Sequence, residues 1–485
     1  MVAMTPIEVL TDLRESNEDY ENAVLATFSF SSTFFEGKIL PILRSKDISN
    51  IVLLADITDY ETTFKEARQA GVLYFVEPIS MRDTYHPKFV LLTSKENGKL
   101  IIGSANITQE GYTSNAEILT SLDFDTNNPS QEVLSIFVGM KAFLRRLIEK
   151  GFVKSQKHAA KTLEAIDMPW LSDQQFFTEK IKLIHNLDSS ILEQLREIIE
   201  GEVEKMTISS FLFSTEVIRY ICKNFCKRLN IVIQPERVIG LARPELEAIA
   251  KETGVDLTYS RAVFKDEENR FLHAKAIVLQ TAKGSYCLTG SANLTKAALL
   301  SASDSGNIEL CLLRFEPDRK YFDYLFDNDS VSVERIDLND ISSIPTPAFP
   351  AVAKPGVELT EAKIENENLI LQFTSVDPCY KLARIIVKRA VAVESKTLDT
   401  VLKETDRIST LLAEDLKKYC QDSCYAVLEL RKDKYDPKPL VSNKRWISTE
   451  IAELIPRKRD VETIRKSDGR IGLIKLLSQL DKAID

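Results

Sequence analysis

Two stretches of this 485-residue chain carry the same polar residues at the same spacing, and this duplication limits its fold more than any other feature. The first runs from His86-Pro87-Lys88 to Gly103-Ser104-Ala105-Asn106-Ile107-Thr108, the second from His273-Ala274-Lys275 to Gly290-Ser291-Ala292-Asn293-Leu294-Thr295. In both, the serine follows the histidine by 18 positions and the asparagine follows the lysine by 18. Only four histidines exist in the chain, and two of them are these. Each His-x-Lys opens an apolar run, Phe89 to Leu92 or Ala276 to Leu279, that reads as a buried strand. Residues two apart on a strand share a face, so His86 stands beside Lys88 and His273 beside Lys275. A second apolar run, Leu100 to Ile102 or Tyr286 to Leu288, ends in Gly-Ser-Ala-Asn, a turn of small residues that brings an amide beside the imidazole and the ammonium. Such a set suits a phosphate: lysine supplies a point charge, asparagine supplies donors, and histidine titrates near neutrality. Two sets facing each other put two histidines on opposite sides of one phosphorus.

The flanking sequence repeats in the same order. Ala23 to Phe30 reads as a strand, Phe34 to Leu43 as a helix, Ile51 to Ala55 as a strand, Tyr60 to Gln69 as a helix and Val72 to Val76 as a third strand. In the second half, Phe211 and Phe213 match Phe28 and Phe30, Asn230 to Ile233 matches Asn50 to Leu53, and Gly254-Val255 matches Gly71-Val72. Alternating strands and helices predict an α/β sheet in each half. The expected organisation is a first repeat over 1–150, a helical connection over 151–204, a second repeat over 205–343, and a proline-punctuated linker over 344–356. A β-rich domain over 357–450 and a helical basic tail over 451–485 complete it. Helices are expected over 132–149 and 176–199, and a helical insertion near 398–418. His158 and His185 lack the surrounding motif and read as helix-surface or interface residues.

Composition narrows the classes further. No apolar run approaches a membrane span, and the first twenty residues lack a basic leader followed by an apolar core, so a cytoplasmic protein with no membrane partner is expected. Seven scattered cysteines without a Cys-x-x-Cys pair read as reduced thiols. No metal and no cofactor is expected, because no cluster of acids and histidines with ligand spacing accompanies the motifs. A net charge of −9 argues against a general polyanion binder but leaves room for local positive charge. The best local excess falls between Arg431 and Arg470, where Lys458 and Arg459 are the candidate nucleic-acid contacts.

With these residues in view, the chain resembles the phospholipase D superfamily, whose signatures are paired His-x-Lys and Gly-Ser-x-Asn motifs. The resemblance covers roughly residues 20–125 and 205–315. Members often carry an aspartate seven positions after the histidine, where this chain has Thr93 and Gln280. That departure makes it more similar to the tyrosyl-DNA phosphodiesterase branch and to certain metal-independent nucleases than to the phospholipases. The resemblance implies two phospholipase D-like repeats with pseudo-two-fold symmetry and one site made of His86, Lys88, Asn106, His273, Lys275 and Asn293. It also implies a later carboxylate, for which Glu117 and Glu309 are the candidates, with Ser104 and Ser291 beside the substrate. By analogy with the family, His86 is the nucleophile of a phosphohistidine mechanism and His273 the acid. The expected substrate is nucleic acid, DNA before RNA. A bacterial restriction or phage-defence setting, with an ATPase or helicase as protein partner, is implied by resemblance alone. A phospholipase D-like lipid phosphodiesterase or transferase, and a non-catalytic phosphate-binding scaffold, are the alternatives.

Overall fold

The computed structural model describes residues 5–16, 18–171, 180–265, 270–342, 344, 355–390 and 394–449. The first half forms a six-stranded sheet from β1 (Asn22–Thr27), β2 (Asn50–Asp56), β3 (Phe75–Ile79), β4 (Phe89–Thr93), β5 (Asn97–Gly103) and β6 (Leu119–Asp125), in the order β3-β2-β1-β4-β5-β6. The first three strands are parallel and the last three antiparallel. β1, β2 and β4 are buried on both faces, which is why their sequences read as unbroken apolar runs instead of alternating.

The second half supplies β7 (Ile181–His185), β8 (Val203–Ser209), β9 (Arg228–Ile233), β10 (Asp256–Phe264), β11 (Ala276–Thr281), β12 (Ser285–Gly290), β13 (Leu310–Glu316) and β14 (Val331–Ile336). Their order is β14-β10-β9-β8-β11-β12-β13-β7. Without the two edge strands this is the order of the first sheet, strand for strand. β7 corrects the expected helix over 176–199. Among the described residues of that stretch, Ile181–His185 is a strand that closes the open edge of β13, and only Ile191–Ile198 is helical. Five residues with apolar side chains at 181, 183 and 184 fit either period, and the unpaired edge decides.

A long helix, α1 (Gln131–Glu149), runs between the sheets. Its stripe of Phe137, Met140, Phe143, Leu144 and Leu147 shares one core with Val24, Val52 and Leu91 of the first sheet and Leu310 and Leu312 of β13. Each such side chain, taken fully out of water, contributes roughly 1.5–3 kcal/mol, so the two sheets are held together by an apolar core and not by surface contacts. The expected helix over 60–69 spans Ile57–Thr63 instead, started by the Asp56 side chain accepting from Thr58 N.

Beyond residue 355, β15 (Leu359–Glu365), β16 (Asn368–Phe373) and β19 (Arg407–Leu411) form one small sheet; β17 (Leu382–Arg389), β18 (Ser395–Val401) and β20 (Cys424–Arg431) belong to another, with β18 at its edge and β17 between β18 and β20. The helical insertion expected near 398–418 shrinks to Glu414–Tyr419, because β18 and β19 pair with β17 and β16. This domain has its own core and docks on the first half. Trp446 enters the first half's core and stacks on Phe64 at 4.7 Å between centroids. The chain passes so close to Gly71 that a Cβ there would lie 2.3 Å from the Ile447 carbonyl oxygen, and the glycine sits at φ +79°. Beneath this contact, Glu77 of β3 holds His158 Nδ1 at 2.8 Å and the Arg445 guanidinium, while His158 Nε2 meets Ser448 Oγ at 3.0 Å. His158 is therefore a buried interface residue on the helix α2 (Gln156–Ile166) and not a surface one. His185 lies half-buried on β7 instead of on a helix. No helix among the described residues is long and apolar enough to cross a membrane.

Candidate active site

Both His-x-Lys segments sit immediately before the central strands β4 and β11, and both Gly-Ser-Ala-Asn turns follow β5 and β12. Because β4 runs antiparallel to β1, and β11 to β8, all four segments emerge at the carboxyl ends of the parallel strands. Open α/β sheets usually carry their ligand crevice at this edge. The glycines of the two turns are fixed by close approach. A Cβ at Gly103 would lie 2.1 Å from the Ile118 carbonyl oxygen, and one at Gly290 would lie 2.5 Å from that of Leu310.

The two sheets meet through reciprocal backbone bonds. His86 N donates to Ile308 O at 2.9 Å and Ile308 N to Thr84 O at 3.0 Å; in the other half His273 N donates to Ala116 O at 3.0 Å and Ala116 N to Phe271 O at 2.9 Å. This seam carries each candidate glutamate across to the opposite half. Glu309 Oε2 lies 2.9 Å from His86 Nδ1, and Glu117 Oε1 lies 2.8 Å from His273 Nδ1. An ionised carboxylate can only accept, so Nδ1 carries the hydrogen and Nε2 keeps its lone pair. Neither Nε2 has a partner among the described residues. Asn307 donates to the second oxygen of Glu309 at 2.9 Å, and Asn115 donates at 3.2 Å to Oε1 of Glu117, the oxygen that also meets His273.

Ser104 and Ser291, expected beside the substrate, lie behind the two glutamates. Both are fully buried. Their hydroxyls donate to Glu117 and Glu309 and accept from Ile118 N at 3.0 Å and Leu310 N at 2.9 Å. They position the carboxylates. Asn106 Oδ1 accepts from Ser29 N at 3.3 Å and Asn293 Oδ1 from Ser210 Oγ at 3.1 Å, which leaves each amide nitrogen to donate elsewhere. Lys88 and Lys275 are about 2 % exposed, and each donates to the carbonyl of its own histidine. Lys458 and Arg459 lie outside the described residues, as do residues 345–354 of the expected linker and the whole expected tail.

The electrostatics of the site are unbalanced. Burial lowers His86 to about 4 against the pull of Glu309, and burial together with Lys275 lowers His273 to about 4 against Glu117. Burial also lowers Lys275 to about 7 and holds Lys88 well below its ordinary range, where Lys275 adds repulsion. Burial alone would raise both glutamates; the neighbouring cationic groups and hydrogen bonds outweigh it and keep them ionised. Lys275 acts on His86 and Lys88 acts on His273, so the cationic groups of both halves lie within reach of one another. Two ionised carboxylates thus face two imidazoles and two lysines that burial pushes toward their neutral forms.

Several contributors carry little or no motif signal. Phe28 and Phe211, visible in the sequence only as matched positions, lie 5.4 and 5.0 Å from the imidazoles of His86 and His273 and under the two lysines. Asp56 Oδ2 and Gln234 Oε1 each accept at 2.8 Å from the amide preceding the histidine, on Tyr85 and Leu272. Asn186 Oδ1 accepts from Glu309 N at 2.7 Å. Nothing in the duplication marks Asn186, because the first half has no counterpart to it.

No protein-family model matches the chain, and no curated protein sequence matches it. Among solved structures it is similar to yeast tyrosyl-DNA phosphodiesterase, at 13% identity and a TM-score of 0.43, over 62% of this chain and 86% of that one. It is also similar to polyphosphate kinase from Porphyromonas gingivalis, at 11% identity and a TM-score of 0.38, over 69% and 47%. A phospholipase D family member, Nuc from Salmonella typhimurium, matches at 15% identity and a TM-score of 0.21, over 30% and 88%.

Proposed function

We propose that the chain is a phosphodiesterase of the phospholipase D type that cleaves nucleic acid, DNA first, at a single site shared by its two halves. The observation that carries this reading is a buried set of two lysines and two imidazoles, all pushed toward their neutral forms, in which both Nε2 atoms are unpartnered among the described residues. A phosphodiester brings negative charge. At about 4 Å and an effective dielectric near 20, one such charge is worth about 4 kcal/mol to a protonated imidazole. That is enough to carry a histidine from about 4 back to near neutrality. Substrate binding therefore loads the acid with its proton.

His86 Nε2 attacks phosphorus, a P–N bond forms, and the bond to the leaving oxygen breaks as that oxygen takes a proton from His273 Nε2. Water then attacks phosphorus and gives a proton to His273, and the P–N bond breaks to leave a phosphomonoester and neutral His86. Glu309 and Glu117 stabilise the imidazolium of the histidine that each holds. Lys88, Lys275, Asn106 and Asn293 meet the non-bridging oxygens, so the reaction proceeds in the presence of chelator. The two halves act as pseudo-two-fold mates, and Lys458 and Arg459 add contacts to the polymer backbone. A restriction or phage-defence setting with an ATPase or helicase partner fits such an enzyme.

The test is incubation of labelled single- and double-stranded DNA, RNA and a lipid phosphodiester in chelator, followed by rapid-quench mass spectrometry. A phosphoryl adduct on His86 is expected. An adduct on His273 reverses the two roles, strict dependence on a divalent ion rejects this site, and cleavage of lipid alone rejects the nucleic-acid reading.

A further inference from the structure

The two half-sites match in every group assigned to the chemistry, yet their surroundings differ, and the difference is one-sided. On the His273 side, Phe271 stands two residues before the histidine, with its ring 5.9 Å from that of His273 and 5.3 Å from that of Phe211. Phe211 itself stacks on His273 at 5.0 Å with 28° between planes, and the Arg237 guanidinium lies 5.9 Å from the Phe271 centroid. Both phenylalanines are only half-buried. On the His86 side, the residue two before the histidine is Thr84, which adds no ring, and Phe28 is tilted at 54° to the imidazole. The backbone clamp differs in charge as well: Asp56 holds Tyr85 N where Gln234 holds Leu272 N. Asp59 adds a second carboxylate beside Ser29 and Phe30.

Resting on the proposed phosphodiesterase reading, we infer that Phe271, with Phe211 and Arg237, is a stacking platform for the unpaired nucleobase on the His273 side of the scissile phosphate, and so sets which side of the strand departs. Every nucleobase offers a π face, and stacking on an aromatic side chain needs no sequence match. The carboxylates near His86 disfavour a polyanion on that side. In-line attack by His86 places the departing oxygen next to His273, so the platform holds the nucleoside that leaves without the phosphate. A base can reach the platform only if it is unpaired, and the substrate class is therefore single-stranded or frayed nucleic acid.

The test uses thymidylyl-thymidine and its two analogues in which one base or the other is replaced by hydrogen, with wild type, Phe271→Ala and Phe271→Trp. For wild type, removing the base of the nucleoside that departs without phosphate lowers kcat/KM about 10-fold, while removing the retained base changes it little. Phe271→Ala loses about the same factor on the intact dinucleotide and no longer distinguishes the abasic analogue; Phe271→Trp restores the preference. If Phe271→Ala slows all three substrates equally, the ring only orients His273 and the inference falls. It also falls if the preference persists without the ring or lies on the retained side. Turnover of bis(4-nitrophenyl) phosphate without any base preference removes the platform and leaves the phosphodiesterase reading intact, whereas no turnover of any phosphodiester removes that reading. In the latter case a 2-aminopurine dinucleotide still reports stacking: fluorescence quenched by wild type but not by Phe271→Ala supports the platform, and unquenched fluorescence overturns it.

Discussion

Three histidine–glutamate pairs are buried among the described residues, and two of them differ from the third in what surrounds the imidazole. In the seam between the halves, His86 with Glu309 and His273 with Glu117 leave Nε2 without a partner among the described residues, and a lysine stands two residues on. At the docking face of the β-rich domain, His158 with Glu77 has Nε2 on Ser448 and the Arg445 guanidinium on the carboxylate. The third pair is saturated, and its charge is closed by a cation that cannot lose its proton. The two seam pairs are set apart by an Nε2 without a partner among the described residues, and a buried His–Glu contact alone does not identify a catalytic group.

The largest expected effect separates the pairs by activity. His86→Ala or His273→Ala should lower kcat on a phosphodiester by about 1,000-fold or more, while His158→Ala should leave kcat per folded molecule within about twofold. Steady-state kinetics on material matched for folded fraction checks this, and equal losses at His158 and His86 would erase the distinction.

A second expectation reverses the contrast. Arg445→Met strands Glu77 in an apolar interface and should cost about 3–5 kcal/mol of stability, read as a lower denaturation midpoint, with kcat of the folded fraction unchanged. Little loss of stability would mean that His158 and the backbone amide of Lys154 suffice for Glu77.

The smallest effect concerns pH. Both catalytic-pair imidazoles sit at about 4 in the fold against 6.5 in the unfolded chain. Between those values the unfolded state binds the extra protons, so stability falls as pH drops from 6.5 to 4. Lys275, at about 7 against 10.5, acts in the same sense, and its contribution grows as pH rises from 7 to 10.5. Sulfate at fixed ionic strength keeps its charge over this range and should raise the melting temperature by more at pH 5.5 than at pH 8. His86→Asn with His273→Asn should reduce that dependence to the part that Lys275, at about 7, contributes. Equal stabilisation at both pH values would place the anion away from the imidazoles.

Much of the site was legible because it is duplicated. The matched spacings bring His86, Lys88 and Asn106 to one sheet edge and His273, Lys275 and Asn293 to another, and the order of the central strands follows the repeated alternation. The crosswise exchange of Glu117 and Glu309 was not legible, since it depends on how one sheet docks on the other and no local pattern records that. His158 was expected at a helix surface or an interface and proves to be the latter, but its partners Glu77 and Ser448, 81 and 290 positions away, were not legible for the same reason. Residues 181–185 and 395–411 misled because short segments with mixed polarity satisfy both helical and strand periods, and only their pairing partners decide.

The exchange of carboxylates between the halves also bears on when the proposed site is completed. His86 waits through 223 residues of synthesis for Glu309. A nascent chain on the ribosome, or a product of premature termination before that residue, presents His86 without its glutamate and the first sheet without the seam that aims it. Under the proposed phosphodiesterase reading, cleaving capacity is complete only once Glu309 has been made.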